Sequence, residues 1–288
     1  MAADVTATAS GKTMTAELSS GKMPCMSCRD EEQARQEAAA HRIGDDEAML
    51  LRDLCMRKFR ELGDAGVRGH SVEFPVAVWR GLPVIPEAIL TRGRVSRGDL
   101  LDLGEQVRAG KLSPVTLLAT SFAWGTGMTG YGPRRYRDIL DAAGSRLEPS
   151  LRQALEASCQ DPLSPDPVAG YAQLYGGCDP DHRAPAGQQP WSRLHKFGPA
   201  FFTKFLYFAV PGALVLDNRL ANAVYERSGL PHLVTSDSRS VAWTPYRYAV
   251  YLHWMRQTAQ TIGVWPEMLE LTLFAPSADP IAEQDADD

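Results

Sequence analysis

The sequence predicts a mostly α-helical protein arranged as two helical lobes around a central cleft. Three observations carry that expectation. Apolar residues recur at intervals of three and four along most of the chain, the spacing that lines one face of a helix. Proline and glycine stand mainly at the ends of those runs, where they start and stop helices. No alternating strand pattern of useful length occurs, and there is no internal repeat. A chain of 288 residues suits one large domain or two small ones, and its 44% apolar content supplies a core.

Taken in order, residues 1–45 read as a flexible leader rich in Ala, Thr, Ser and Gly, with little periodic apolar pattern. A helical domain over residues 46–275 follows. From Asp46, Leu50, Leu51, Leu54, Phe59 and Leu62 recur at helical spacing until Gly63 ends the run. The prolines and β-branched residues of SVEFPVAVWRGLPVIPEAIL favour extended or irregular chain, with a basic connection from Arg92 to Arg97. Asp99 starts a helix that ends at Gly110. Ser113-Pro114 starts another, serine capping and proline fitting the first turn, which runs into Gly125. Further helices carry Tyr136 and Ile139, span Leu147 to Ala157, and span Val168 to Tyr175 after a proline-rich connector. Gly176 to Pro190 is a loop by composition. Pro245–Ile262 and Pro266–Phe274 are the last two helices, and residues 276–288 form an acidic, solvated tail.

Several function classes lose their support at this stage. No run reaches the ~18 apolar residues of a membrane helix, the longest being cut by Lys204 and Pro211. The start of the chain lacks the apolar core of a signal peptide, and five cysteines fit reduced thiols, so a cytoplasmic protein is expected. Cys25 and Cys28 form a single C-x-x-C with no second pair at zinc-finger spacing, and the histidines are scattered, so no metal is expected. Gly125-x-Gly127-x-x-Gly130 matches a dinucleotide fingerprint in letters only. The segment before it reads as a helix, and Gly132-Pro133 break the chain where the binding helix should run, so no cofactor is expected. The net charge of −5 argues against indiscriminate nucleic-acid binding. Locally the balance reverses: Asp181 to Gln260 holds nine Lys or Arg against four Asp or Glu, and Gly132–Arg137 holds three arginines.

The densest information lies in Leu194 to Val224, LHKFGPAFFTKFLYFAVPGALVLDNRLANAV. It reads as a tight glycine-proline turn, an apolar helix, a Pro-Gly break and an aspartate after a buried run. Asp217 follows Leu214-Val215-Leu216 and precedes a helix marked by Leu220, Ala221 and Val224. It can cap that helix, and a helix N-terminus holds a carboxylate firmly in place. Lys204 sits in PAFFTKFLYF among aromatic residues, where its amine must reach a cleft, a partner or solvent.

At these residues the chain resembles the helix-hairpin-helix DNA glycosylase superfamily, most closely its 8-oxoguanine glycosylase-like branch, over roughly Leu112 to Phe274. Phe197-Gly198 match the hairpin, Leu214-Val215-Leu216-Asp217 match the apolar run ending in aspartate, and Asn218–Val224 match the helix after it. Two positions depart from the family pattern. Its first hairpin glycine falls on Lys196, and the lysine of bifunctional relatives falls on Ala200. Lys204 lies four residues later on the same helix face, about 6 Å along the axis.

The resemblance implies a DNA partner containing a damaged or modified base, with 8-oxoguanine favoured, and a monomeric protein. Lys196, Phe197, Gly198 and Arg219 would hold DNA, while Trp124, Tyr131, Trp191 and Tyr207 are candidates to contact an extruded base. Asp217 would stabilise the sugar cation and orient water, and Lys204 could add lyase chemistry. The alternative is a helix-hairpin-helix module that binds DNA without chemistry, to which Lys196 and Ala200 point.

Overall fold

The computed structural model describes residues 28–82, 84–176, 194–234 and 243–274. They are mostly helical. The first half holds α1 (Cys28–Ala40), α2 (Asp45–Leu62), α3 (Gly66–Gly69), α4 (Val76–Trp79), α5 (Glu87–Arg92), α6 (Arg97–Arg108) and α7 (Pro114–Thr126). The second holds α8 (Tyr131–Ala143), α9 (Leu147–Ser158), α10 (Pro167–Tyr175), α11 (Pro199–Ala209), α12 (Asn218–Ser228), α13 (Pro245–Ile262) and α14 (Pro266–Phe274). Strands β1 (Ser71–Glu73) and β2 (Arg94–Ser96) pair antiparallel, with Val72 opposite Val95.

Helix ends follow local chemistry. Proline enters the first turn of α7, α10, α11 and α13, where its missing N–H is one of the orphan donors in any case. The side chains of Ser113, Asp166, Asp217 and Thr244 cap α7, α10, α12 and α13. Ser96 and Asp99 form a reciprocal capping box at the start of α6.

The helices share one continuous core with α11 at its centre. Residues 202–209 of α11 are all buried, because α6, α7 and α10 pack around it. The apolar character of α11 on every side thus reflects central placement rather than a surface face. Gly104 of α6 makes one crossing possible: a Cβ there would stand 1.8 Å from the Phe208 carbonyl oxygen. On the other side α13 packs on α1, α10 and α14.

Three sequence expectations change. Residues 28–40, placed in the flexible leader, form α1, which packs along α13. The signal was hidden because α1 buries two alanines, Ala34 and Ala38, rather than a stripe of large residues. It is also tied down by polar contacts, Glu31 to His253 at 2.8 Å and Glu37 to Tyr246 (2.8 Å) and Arg247. Gly132 and Pro133 do not break the chain but lie inside the first turn of α8, where a proline removes no helical bond. The irregular stretch from Ser71 to Arg97 contains the β1–β2 ribbon and two short helices.

The ribbon begins beside His70, whose ring meets Trp124 edge-on at 6.0 Å. Burial, reinforced by the charges of Arg97 and Lys58, lowers its pKa from 6.5 to about 4. The unfolded chain therefore takes up this proton first as pH falls. The contribution of neutral His70 is complete above pH 6.5 and is lost progressively on acidification toward pH 4. Thermal unfolding across that window is expected to show a steeper loss of stability on acidification in wild type than in His70→Gln. Equal slopes would exclude His70 as the source.

Candidate active site

The site is assembled where the start of α11 meets the start of α12. The chain enters α11 through a tight turn in which Phe197 N–H donates to Leu194 O at 3.1 Å. Lys196 occupies the left-handed region with φ of 62°, at the position where the family hairpin carries glycine. The side chain forms an ion pair with Asp138 of α8 at 3.0 Å. A lysine there carries a conformational penalty that glycine does not. Gly198 then caps α11, its carbonyl accepting from the amides of Phe201 and Phe202 at 3.0 Å each.

One turn into α11, the Lys204 amine donates to Ala200 O at 2.9 Å and to Asp217 Oδ2 at 3.1 Å. The side chains of the pair are 10% and 13% exposed, so the ion pair is nearly sheltered yet reachable. Gly125 makes room for the lysine stem: a Cβ at that position would lie 2.6 Å from Lys204 Cδ. The glycine of the apparent dinucleotide motif thus serves side-chain packing inside α7. The other oxygen of Asp217, Oδ1, accepts from Leu220 N–H at 3.1 Å and caps α12. Capping and ion pairing coexist on one carboxylate.

Asp217 is delivered by an irregular segment, residues 213–216, that is fully buried. A buried segment outside any helix or strand must satisfy its backbone by other means. Here side chains do it. Leu214 exchanges two bonds with the Tyr248 hydroxyl, donating at 3.3 Å and accepting at 2.8 Å. Val215 O accepts from the Tyr251 hydroxyl at 2.6 Å, and Val215 N–H donates to Glu270 Oε2 at 2.8 Å. Leu216 N–H donates to Thr203 Oγ1 at 3.1 Å. Burial pushes the phenols of Tyr248 and Tyr251 up, which keeps both as neutral donors.

Glu270 is itself held by Arg97 at 2.9 Å, and each partner is 1% exposed. The Arg97 guanidinium also donates to the Tyr207 hydroxyl at 2.6 Å and lies over the Trp124 ring at 5.0 Å. Burial opposes the arginine's charge, but Glu270 and Tyr207 outweigh it and raise its pKa.

The sequence candidates separate accordingly. Asp217 and Lys204 come together. Trp124 and Tyr207 do not line an accessible pocket; both are 5% exposed and belong to the Arg97 network. Phe197 is buried edge-on against Phe202 at 5.9 Å, so its ring anchors the turn from inside. Tyr131 is half-buried at the start of α8, its ring 6.1 Å from that of Phe201. Phe201 in turn stacks on Phe122 at 4.7 Å. Arg219 lies over Phe274 at 4.9 Å. Trp191 and Cys25 fall outside the described residues.

Sequence reasoning missed Thr203, Tyr248, Tyr251, Glu270 and Arg97. The available signal was a glutamate inside the apolar helix PEMLELTLF, which cannot be buried without a cation. Among the described residues no cluster of three or more His, Cys, Asp or Glu could hold a metal, and no helix is long and apolar enough to cross a membrane.

A family model described as "Putative 8-oxoguanine DNA glycosylase OGG-like protein" matches residues 65–274. The match takes in the hairpin, Lys204, Asp217 and the whole support beneath them, and begins well before Leu112. No curated protein and no solved structure matches the chain.

Proposed function

Since the chain belongs to the 8-oxoguanine DNA glycosylase OGG-like family, we propose that it is a DNA N-glycosylase that removes a damaged or modified base, with 8-oxoguanine the favoured substrate. The observation that carries this reading is Asp217 at the N-terminus of α12, fixed by Leu220 N–H and by Lys204.

A base inside duplex DNA is out of reach, so the nucleotide must first be extruded, at a cost of a few kcal/mol. The hairpin at Lys196–Gly198 and the start of α11 offer main-chain amides to a phosphate, which fixes position without reading sequence. When the bond between the base and C1′ breaks, its electron pair leaves with the base and the sugar becomes cationic. The Asp217 carboxylate stabilises that charge. Water then bonds to C1′ and gives up a proton to Asp217. Ala200 brings no amine to this reaction, and two donors of the Lys204 ammonium are already engaged, which favours water as the nucleophile.

A second reading has its own observation, the 3.1 Å approach of Lys204 to Asp217. If the ammonium passes a proton to the carboxylate, the free amine can bond to C1′ as the glycosidic bond breaks and its electron pair leaves with the base. The ring then opens with O4′ taking up a proton, and the resulting iminium supports elimination of the 3′ phosphate.

Excision from duplexes carrying a panel of oxidised, alkylated and deliberately modified bases tests the proposal, with borohydride added to trap an iminium. The water route predicts abasic product and no trapped adduct. An adduct in wild type that disappears in Lys204→Ala would transfer the chemistry to the lysine. Salt-sensitive DNA binding with no base released from any duplex would overturn the enzymatic reading in favour of a non-catalytic module.

A further inference from the structure

We propose that Thr203 is a positioning residue that couples the DNA-gripping hairpin to the Asp217 carboxylate, an inference that rests on the glycosylase reading above. Its hydroxyl is fully buried. It lies 2.7 Å from Pro199 O, 3.1 Å from Leu216 N and 3.2 Å from Leu216 O. A hydroxyl has one hydrogen to give and lone pairs to receive with. The shortest contact, Pro199 O, takes the hydrogen, and the lone pairs face the Leu216 amide. One oxygen atom therefore joins the residue after Gly198 to the residue before Asp217.

A threonine in a helix commonly bonds back to the carbonyl four residues earlier, and that habit accounts for the Pro199 contact. It does not account for Leu216, which is 13 residues away in sequence. Of the four side chains that hold residues 214–216, Thr203 is the one carried by the helix that starts at the hairpin. Tyr248, Tyr251 and Glu270 come from α13 and α14. Movement at the hairpin when it engages a phosphate is thus passed to Leu216 through Thr203, while the other anchors hold the rest of the segment still. Lys204, the next residue, reaches Asp217 from the same helix. The hairpin, the lysine and the carboxylate form one mechanical unit, with the threonine hydroxyl as its joint. A misplacement of about 1 Å at a reacting group lowers rates by up to ~10²-fold, so the joint matters to chemistry more than to binding.

The test compares wild type, Thr203→Val, which keeps the shape and removes the hydroxyl, and Thr203→Ser, which keeps the hydroxyl. Single-turnover excision should fall at least tenfold in Thr203→Val with the duplex Kd within about twofold of wild type, and Thr203→Ser should recover most of the rate. Hydrogen exchange provides a readout that needs no chemistry. Duplex binding should slow exchange of the peptide spanning residues 213–217 in wild type and Thr203→Ser, but not in Thr203→Val. Wild-type excision or an unchanged exchange response in Thr203→Val would overturn the coupling. An intact exchange response in a protein that releases no base would instead remove the enzymatic reading and leave the coupling in place. Absence of any DNA affinity would overturn both. Should Thr203→Val fail to fold, Thr203→Ala, where water can occupy the vacated position, takes its place in both assays.

Discussion

Asp217→Asn is expected to lower single-turnover base release by on the order of 10²–10³-fold while the protein stays folded and still binds DNA. The substitution is informative because of what it spares. Asparagine caps a helix about as well as aspartate, so the Leu220 N–H bond and the start of α12 survive. The charge is what disappears, and with it the proposed stabilisation of a cationic sugar and the proposed acceptor for a proton from water. Lys204 also loses its ionic partner, because the single amide oxygen stays with the Leu220 N–H and the amide nitrogen, a donor, then faces the amine. Duplex affinity should change little. Near-normal base release by Asp217→Asn would remove this carboxylate from the chemistry and leave its cap as the whole of its role.

The second large effect is on stability. Glu270→Ala is expected to destabilise the fold by about 3–5 kcal/mol, because Arg97 would keep a buried charge with no counterion. With total stabilities commonly ~5–15 kcal/mol, that is a substantial share. Replacing both members of a buried ion pair by apolar residues is often tolerated. Here it should not be, since Glu270 Oε2 also receives the Val215 amide, and an orphaned buried N–H costs about 1–3 kcal/mol more. Urea unfolding of wild type, Glu270→Ala and Glu270→Gln measures both parts. Glu270→Gln should fall between the other two, since it keeps an acceptor and loses the charge. A loss below about 1 kcal/mol in Glu270→Ala would show that water reaches Arg97 and that the pair is not sealed.

Helix positions were legible in the sequence wherever proline, glycine or a capping side chain marked an end. Pro245–Ile262 and Pro266–Phe274 agree with α13 and α14 to the residue. Legibility failed where the packing used small residues, as in α1, because alanine leaves no amphipathic signature. At the site, the order of hairpin, helix and aspartate was visible because those residues are neighbours in the chain. Their supports were not. Glu270 acts through the main chain of Val215, and Tyr248 and Tyr251 through Leu214 and Val215, so no local spacing announces them. The surroundings of two aromatic candidates were hidden for a related reason: Trp124 and Tyr207 face Arg97, and an arginine in a basic connection gives no sign that it will be buried.

The side-chain support of residues 214–216 has a consequence for the order in which the protein is built. Its bonds close loops of 13, 34, 36 and 55 residues. The hairpin and α11 pack on helices that precede them in the chain, α6, α7, α8 and α10, whereas the last anchor, Glu270, lies close to the end of the described residues. During synthesis the grip can form early, but the carboxylate gains its full platform only when α14 has emerged and docked. Closing the longest loop is the slowest of these events on entropic grounds. Assembly from the N-terminus therefore builds the proposed DNA grip before it completes the seat of the proposed catalytic carboxylate.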